Sequence, residues 1–465
     1  MKNLLTISCV MVVLMGLHAC KTRKSPDMKD TSPRVQLMVL DPGHFHAGLV
    51  QKTMYEEVDS VVQVFAPDGP DVQNYLDQVE AYNHRETDPT HWVIQLYKGP
   101  DFFSRMLDEG TGNVLVLAGN NRKKTEYILE AVKSGIHVLA DKPMAIDTDD
   151  YERLQEAFEI AQNNGLLIYD IMTERYEITT LLQKKFSQIP GVFGDLQDGS
   201  PDDPAVIKES VHHFYKYVSG NILKRPPWFF DVRQQGEGIV DVTTHLIDLV
   251  QWACFPEQII NHRDDIQLLN ANRWPTILTP GEFQAVTRLD RFPEYLQKDR
   301  NESGQLEVYA NGEINYSIKG VHARVRVTWN FKAPEEAGDA HYSIMRGTRS
   351  NLVIRQGVAE DYRPTLYIEP VEQADVGAIE SSLTRAMIDL LADHPDLELE
   401  ITRKGWKIVI PESYRIGHEA HFGQVTRAFL DYLEAGRLPE WAVPNMLAKY
   451  YITTRALEIA NENAP

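Results

Sequence analysis

Val138-Leu139-Ala140-Asp141-Lys142-Pro143-Met144-Ala145 is an apolar strand that ends in an acidic-Lys-Pro turn. Its uninterrupted aliphatic character reads as a strand buried on both faces, as in a parallel sheet. Pro143 locks the backbone just beyond it. An ammonium fixed at this point stands at the carboxyl end of the sheet, where open α/β folds bind their ligands. Lys142 therefore marks a junction, with a nucleotide-binding pattern upstream and a substrate-shaping pattern downstream.

Upstream, an apolar run from Val35 leads into Asp41-Pro42-Gly43-His44-Phe45-His46-Ala47-Gly48, the place for a dinucleotide fingerprint between strand and helix. Gly43 holds the second glycine position, Asp41 the first and His46 the third, with Gly48 available for helix packing. Gly43, His44, Phe45 and His46 are thus cofactor-binding candidates. The second strand, Val61 to Ala66, is followed by Asp68, the acid expected near ribose hydroxyls; no arginine follows to accept a 2′-phosphate, so NAD is expected over NADP. Strands from Trp92 to Tyr97 and from Val114 to Leu117 come next, and Asn120 and Asn121 end the latter. A helix from Lys124 to Ser134 closes on Gly135. A helix from Asp149 to Gln162 and a strand from Leu166 to Tyr169 complete the alternation. The pattern predicts an α/β fold whose residues 34–172 form a Rossmann-type, doubly wound parallel sheet.

Beyond Thr173 the pattern changes to strict alternation, predicting a C-terminal α+β domain, residues 173–465, with a large, mostly antiparallel sheet. Asn311-Gly312 reads as a hairpin turn between two strands. In the strand after it, Ala323, Val325, Val327, Trp329 and Phe331 share one face and Arg324, Arg326 and Thr328 the other. Residues 375–409 read as an insertion of one helix and two short strands. Two amphipathic helices, around His421 to Ala435 and Asn445 to Asn461, end the chain.

The 465 residues carry a formal net charge of −20, which argues against a nucleic-acid partner. Residues 1–19 have the short cationic start and apolar run of an export signal, and Leu17-His18-Ala19-Cys20 resembles the lipobox of bacterial lipoproteins. This predicts lipidation of Cys20, a tether over residues 20–33, and a protein anchored in the bacterial cell envelope, on the periplasmic side. Membrane contact is expected through that anchor alone. Cys254 is then the only cysteine left in the folded part.

Gly236-Glu237-Gly238-Ile239-Val240-Asp241-Val242-Thr243-Thr244-His245-Leu246-Ile247-Asp248 reads as a glycine-rich entry to a helix that would align Asp241, His245 and Asp248 on one face. Joined to Asp141-Lys142-Pro143, this segment resembles the Gfo/Idh/MocA oxidoreductase family. The family's helix motif falls on Asp241 and His245 and its arginine-aromatic pair on Arg175-Tyr176; Lys124 stands where the family usually has histidine. The resemblance implies a nicotinamide cofactor touching Asp141 and Lys142, and a sugar or polyol between it and the open face of the second sheet. It also implies a homo-oligomer formed through that sheet. Catalysis would fall to Lys142, His245 and Asp241: His245 as a base titrating near neutrality, Asp241 orienting it, Lys142 bonding the developing alkoxide. Arg175, Trp228, Asp241 and His245 are the substrate-binding candidates. Tyr414 and His418, before a helix, are expected to cap or pack. His212-His213 and His44-x-His46 show no carboxylate or cysteine at ligand spacing nearby, so no metal is expected.

An exported enzyme would find no nucleotide pool to recycle its cofactor, so tightly held NAD is expected. Three functions follow: net oxidation of a carbohydrate hydroxyl; glycoside cleavage by lyase or hydrolase chemistry through a transient 3-keto intermediate; and cofactor-free carbohydrate binding on a dehydrogenase fold.

Overall fold

A computed structural model of the chain describes residues 35–218, 221–333 and 338–463. The signal and tether, residues 1–33, with Cys20, lie outside the described residues. Strands β1 (Leu37–Leu40), β2 (Val61–Ala66), β3 (Val93–Lys98), β4 (Val114–Leu117), β5 (His137–Asp141) and β6 (Ile168–Ile171) form one sheet in the order β3-β2-β1-β4-β5-β6. Every pair in it is parallel. This is the doubly wound order, with its switch point between β1 and β4. The central strands β1, β4 and β6 are buried throughout and β5 from Val138 onward, as their continuous apolar sequences require.

The helix after β1 departs from expectation. It spans only His46–Leu49, because the chain then turns to seat Gln51, whose carbonyl accepts Trp92 Nε1–H at 2.6 Å.

After β7 (Val206–Tyr215) and a small pair, β8 (Tyr217–Val218) and β9 (Asn221–Ile222), come β10 (Ile266–Leu278), β11 (Leu306–Ile318), β12 (Val321–Lys332), β13 (Ala340–Arg346), β14 (Ser350–Gln356), β15 (Thr365–Pro370), β16 (Glu398–Thr402) and β17 (Gly405–Val409). All but the small pair form a nine-stranded sheet, antiparallel except for β7 with β12, in the order β10-β11-β12-β7-β13-β14-β15-β17-β16. Residues 375–409 supply the helix Val376–Asp393 and the edge strands β16 and β17. The alternation along β12 holds: Ala323, Val325, Val327 and Trp329 are buried, while Arg324, Arg326 and Thr328 are not.

Asn311-Gly312 is not a turn. β11 runs straight through it, and the hairpin falls at Lys319-Gly320, both at positive φ. Asn311 serves the sheet with its side chain, donating to Trp274 O and Thr276 Oγ1 and accepting Trp329 N–H. Gly312 is required by packing: a Cβ there would lie 2.6 Å from Ile239 Cβ, and one on Gly238 would lie 1.7 Å from Ala310 O. The segment before His245 thus rides directly on β11.

Helices Ile178–Ser187, Thr243–Cys254, Val376–Asp393 and Ala442–Glu462 cover one face of the large sheet through Leu182, Phe186, Ile247, Val250, Leu383 and Ile452. The helix His418–Ala435 returns to the first domain and buries Phe422, Val425 and Phe429 in its core. Among the described residues, no helix is long and apolar enough to cross a membrane.

Candidate active site

The acidic-Lys-Pro turn and the glycine-entered helix meet as their motifs suggest. Lys142 Nζ donates to Asp241 Oδ1 at 2.5 Å, both side chains largely buried. Asp241 Oδ2 accepts Gln235 Nε2–H at 3.1 Å. Asn120 and Asn121, after β4, reach the same segment, donating to Gln234 Oε1 and Gln235 O at 2.7 Å each. The domain boundary is therefore stitched by side chains at the point where chemistry was expected.

Three expectations about this helix need correction. The α-helix begins at Thr243, leaving Asp241 in the preceding turn, where it binds Lys142 and shows no hydrogen bond to His245. Asp248 faces elsewhere: it receives Arg175 Nε and an Arg175 terminal nitrogen at 2.6 Å each, and Lys449 Nζ at 2.8 Å. Arg175 is thus a largely buried cation committed to Asp248. His245 does not titrate near neutrality either, since burial and then the Lys142 charge push it down to about 3. Its imidazole is neutral at physiological pH, and Nδ1 is buried without a hydrogen-bond partner among the described residues.

His245 lines a cavity of about 150 Å³ together with Glu174, Ser210, His212, Asp339 and His341. The cavity lies between the large sheet and its helices, on the covered face and not the open one. Ser210, His212 and His341 point there because alternation along β7 and β13 sends their neighbours, such as Glu209, to the other side. Glu174 and His341 were invisible in the sequence as site residues; only the fold brings them to His245. Burial works against the Glu174 charge, but His418 and His245 hold its carboxyl well below the usual range. Burial and then Lys208 lower His341 to about 4.

Around the fingerprint loop, His46 Nδ1 lies 2.7 Å from Asp141 Oδ2, and His44 Nδ1 lies 3.8 Å from the same oxygen. A carboxylate distant in sequence thus stands beside His44-x-His46, which spacing along the chain could not reveal. His418, expected to cap or pack, reaches across to place its Nε2 3.2 Å from His46 Nε2. Tyr414 donates to Pro395 O at 2.9 Å. Lys124 donates to Asp141 O at 3.0 Å, and burial lowers it to about 8. His212 and His213 share Asp339, with Lys216 on the same carboxylate.

A second cavity, of about 390 Å³, opens beside Pro42, Gly43, His44 and Phe45, between them and Asp71, Lys224 and Arg225. Asp68 is not on its wall; it pairs with Lys98 at the surface, 2.7 Å away. Asp71, one turn further, takes that position. Trp228 is 8% exposed and donates to Asp71 Oδ2 at 2.7 Å, so its ring is a wall over the loop and not an open sugar platform. A Cβ on Gly43 would come 3.2 Å from that ring.

A dinucleotide fits the residues present. The crevice lies at the carboxyl ends of β1 and β2, the exposed Lys224 offers charge to phosphates, Asp71 can accept hydrogen bonds from hydroxyls, and Asn121 Oδ1 is buried without a partner among the described residues. Asp41 opposes it: at the first glycine position, with φ 48°, it has its carboxyl raised to about 6 by burial and by Asp71.

Comparison with known proteins agrees with this geometry. Residues 43–169 match the Gfo/Idh/MocA family, described as "Oxidoreductase family, NAD-binding Rossmann fold". Residues 182–461 match a "Putative oxidoreductase C terminal domain". A crystal structure described as a "putative oxidoreductase" from Parabacteroides merdae is 52% identical, with a TM-score of 0.91, over 93% of this chain and 98% of that one. The WlbA dehydrogenase of Bordetella pertussis, solved with NADH and UDP-GlcNAcA, shares the fold at 15% identity and a TM-score of 0.53, covering 93% and 97% of the two chains. A levoglucosan dehydrogenase, solved with NADH and levoglucosan, does so at 13% identity and 0.56, covering 92% and 97%. No curated protein matches the chain. With residues 182–461 matched by the oxidoreductase C-terminal domain and a 52% identical oxidoreductase relative spanning the chain, the chain belongs to this oxidoreductase family, with a Gfo/Idh/MocA NAD-binding domain at residues 43–169.

Proposed function

We propose that the protein oxidises a hydroxyl of a sugar, polyol or glycoside, using NAD held tightly between Gly43–His46 and the Asp71, Lys224 and Arg225 wall. The observation that carries this reading is the Lys142–Asp241 pair across the domain boundary, with its charge acting on a neutral His245 whose Nδ1 has no partner among the described residues. NAD supplies the hydride acceptor. His245 Nδ1 accepts the hydroxyl proton, Lys142 donates to the developing alkoxide, and Asp241 holds Lys142 in place. Glu174 and Asp339 accept hydrogen bonds from neighbouring hydroxyls, which favours an uncharged polyhydroxylated substrate over an anionic one.

Redox-neutral glycoside cleavage is the second reading, favoured by the density of titratable groups at the cavity. Glu174, His212 and His341 exceed what one proton transfer needs, whereas elimination next to a 3-keto group also requires C–H deprotonation and leaving-group protonation. Denaturing the purified protein and assaying the supernatant tests both. Released NAD, with a keto product and accumulating NADH on incubation with glycosides, supports oxidation. Free sugar without net NADH supports cleavage. If no nucleotide is released and none binds by calorimetry, both readings fall and carbohydrate binding without cofactor remains.

The same reading places the protein outside the cytoplasm on a lipid-modified Cys20, which labelling with a radioactive fatty acid would detect and Cys20→Ala would abolish. It also pairs two copies through the open sheet face, where Tyr342 and Tyr367 pack on Ile207, Ile344 and Val353. A monomer by light scattering would exclude that pairing.

A further inference from the structure

The loop that departs from the glycine fingerprint carries a donor set of its own. His44, His46 and Asp141 each offer one ligand atom, and the three atoms lie within 4.8 Å of one another. Zinc binds imidazole nitrogen at roughly 2.0–2.1 Å in tetrahedral sites, which sets neighbouring ligand atoms roughly 3.3 Å apart. The separations from Asp141 Oδ2, 2.7 Å to His46 Nδ1 and 3.8 Å to His44 Nδ1, straddle that value. We propose that His44 Nδ1, His46 Nδ1 and Asp141 Oδ2 form the seat of a divalent transition-metal ion of the zinc class.

The hydrogen bonding leaves room for a cation. His44 Nδ1 is in its acceptor form, taking the backbone N–H of His46 in a long 3.3 Å bond that an ion on the same lone pair would replace, and Asp141 Oδ2 is an acceptor as well. Two acceptors thus converge where the side chains supply at most one proton, on His46 Nδ1. The surroundings also resemble a ligand support. A metal-bound histidine commonly donates its second ring N–H to a fixed partner, and His46 Nε2 faces His418 Nε2 at 3.2 Å. His418 Nδ1 is in turn 3.3 Å from Thr173 Oγ1 and 3.6 Å from Glu174 Oε1. With the ion on His46 Nδ1, every N–H in this relay runs one way, from His46 to His418 to Thr173 and Glu174.

Two imidazoles and one carboxylate suit zinc-class ions better than magnesium or calcium, which take oxygen ligands. Three protein ligands leave a coordination position open, as catalytic sites do. Here it faces the 390 Å³ crevice, whose wall includes His44. The opposing charge nearby is Lys124, on the carbonyl of Asp141; the charge of Lys142 is offset by Asp241. This inference goes beyond the oxidoreductase reading and does not rest on it.

The test uses the full chain, stripped with a chelator and titrated with Zn²⁺ by calorimetry, then loaded with Co²⁺ for its visible absorption. One ion per chain is expected, with the intense Co²⁺ bands of a low-symmetry nitrogen-oxygen site and no uptake of Mg²⁺. The His44 side chain is 18% exposed on the cavity wall, so His44→Ala should keep the native melting profile and lose the ion. His418→Ala should keep the stoichiometry and weaken binding roughly 10–100-fold. No saturable Zn²⁺ or Co²⁺ uptake by the native chain overturns the proposal, and so does uptake unchanged in both His44→Ala and His46→Ala. Nucleotide content measured on the same samples keeps this outcome separate from that of the function itself.

Discussion

At the residue scale, Lys142 carries two separable effects. Lys142→Met should lower hydride transfer by about 10²–10⁴-fold, the usual worth of a positioned proton-transfer group. It should also raise the His245 imidazole from about 3, because the Lys142 charge ranks second only to burial in holding it down. Histidine NMR across a pH titration reads the second effect without any substrate; a His245 signal that titrates as in the native protein would refute the coupling. Asp41 makes the opposite case. Its folded-state value, about 6, lies above the ordinary one of about 3.9, so the folded state binds its proton more tightly. The resulting stability is full below the ordinary value and is lost as pH rises through about 6. Asp41→Asn, compatible with the positive φ, should therefore raise the melting temperature near pH ~7, leave it nearly unchanged near pH ~4, and tighten nucleotide binding. Equal shifts at both pH values would count against this account.

At the element scale, the strand β11 and the turn before His245 are locked by two missing Cβ atoms. Gly238→Ala must push backbone against the carbonyl of Ala310, and a loss of about 1–3 kcal/mol or more in urea denaturation is expected. An unchanged midpoint would mean that the segment can move away from the sheet. The hairpin at Lys319-Gly320 offers a gain. Lys319 has φ 49° and Gly320 φ 84°, the backbone for which Asn-Gly is favoured. Lys319→Asn should stabilise modestly, within about 1 kcal/mol. The sequence contained that favoured dipeptide one turn too early, at Asn311-Gly312, where side-chain bonding and close packing decided in favour of a continuous strand. Local turn chemistry is a weak constraint when a neighbouring element needs the same glycine.

At the scale of the whole molecule, a buried ion network holds the Rossmann sheet to the second domain. Lys449, fully buried in the last helix, contacts Asp170 at the end of β6 at 2.6 Å and Asp248 at 2.8 Å; Asp248 in turn holds Arg175. Tyr450 OH donates to Asp170 at 3.1 Å. Removing one partner strands buried charge, so Lys449→Met should cost about 3–5 kcal/mol in chemical denaturation. It should also split one unfolding transition into two as the domains uncouple; a single transition of native midpoint would show that the network is dispensable.

The sequence by itself determined the doubly wound first domain, the mostly antiparallel second sheet and Lys142 at the carboxyl end of a buried strand. These follow from local rules: continuous apolar strands pair in parallel, alternating strands leave one face open, and a lysine after a buried strand has one place to stand. That Lys142 pairs with Asp241, which was expected to orient His245, emerged only in the structure. Only the tertiary structure decided what stands around that pair. Glu174, His341 and His418 come from three distant segments, and nothing in their neighbours along the chain marks them as partners of His245 or His46. The roles of Asp248 and Arg175, Asp68 and Asp71 were likewise settled by which side chain found a buried counter-charge, a matter of distance in space. Protonation belongs to the same class: the state of His245 depends on burial and on the charge of Lys142, and both exist only once the two domains have closed on each other.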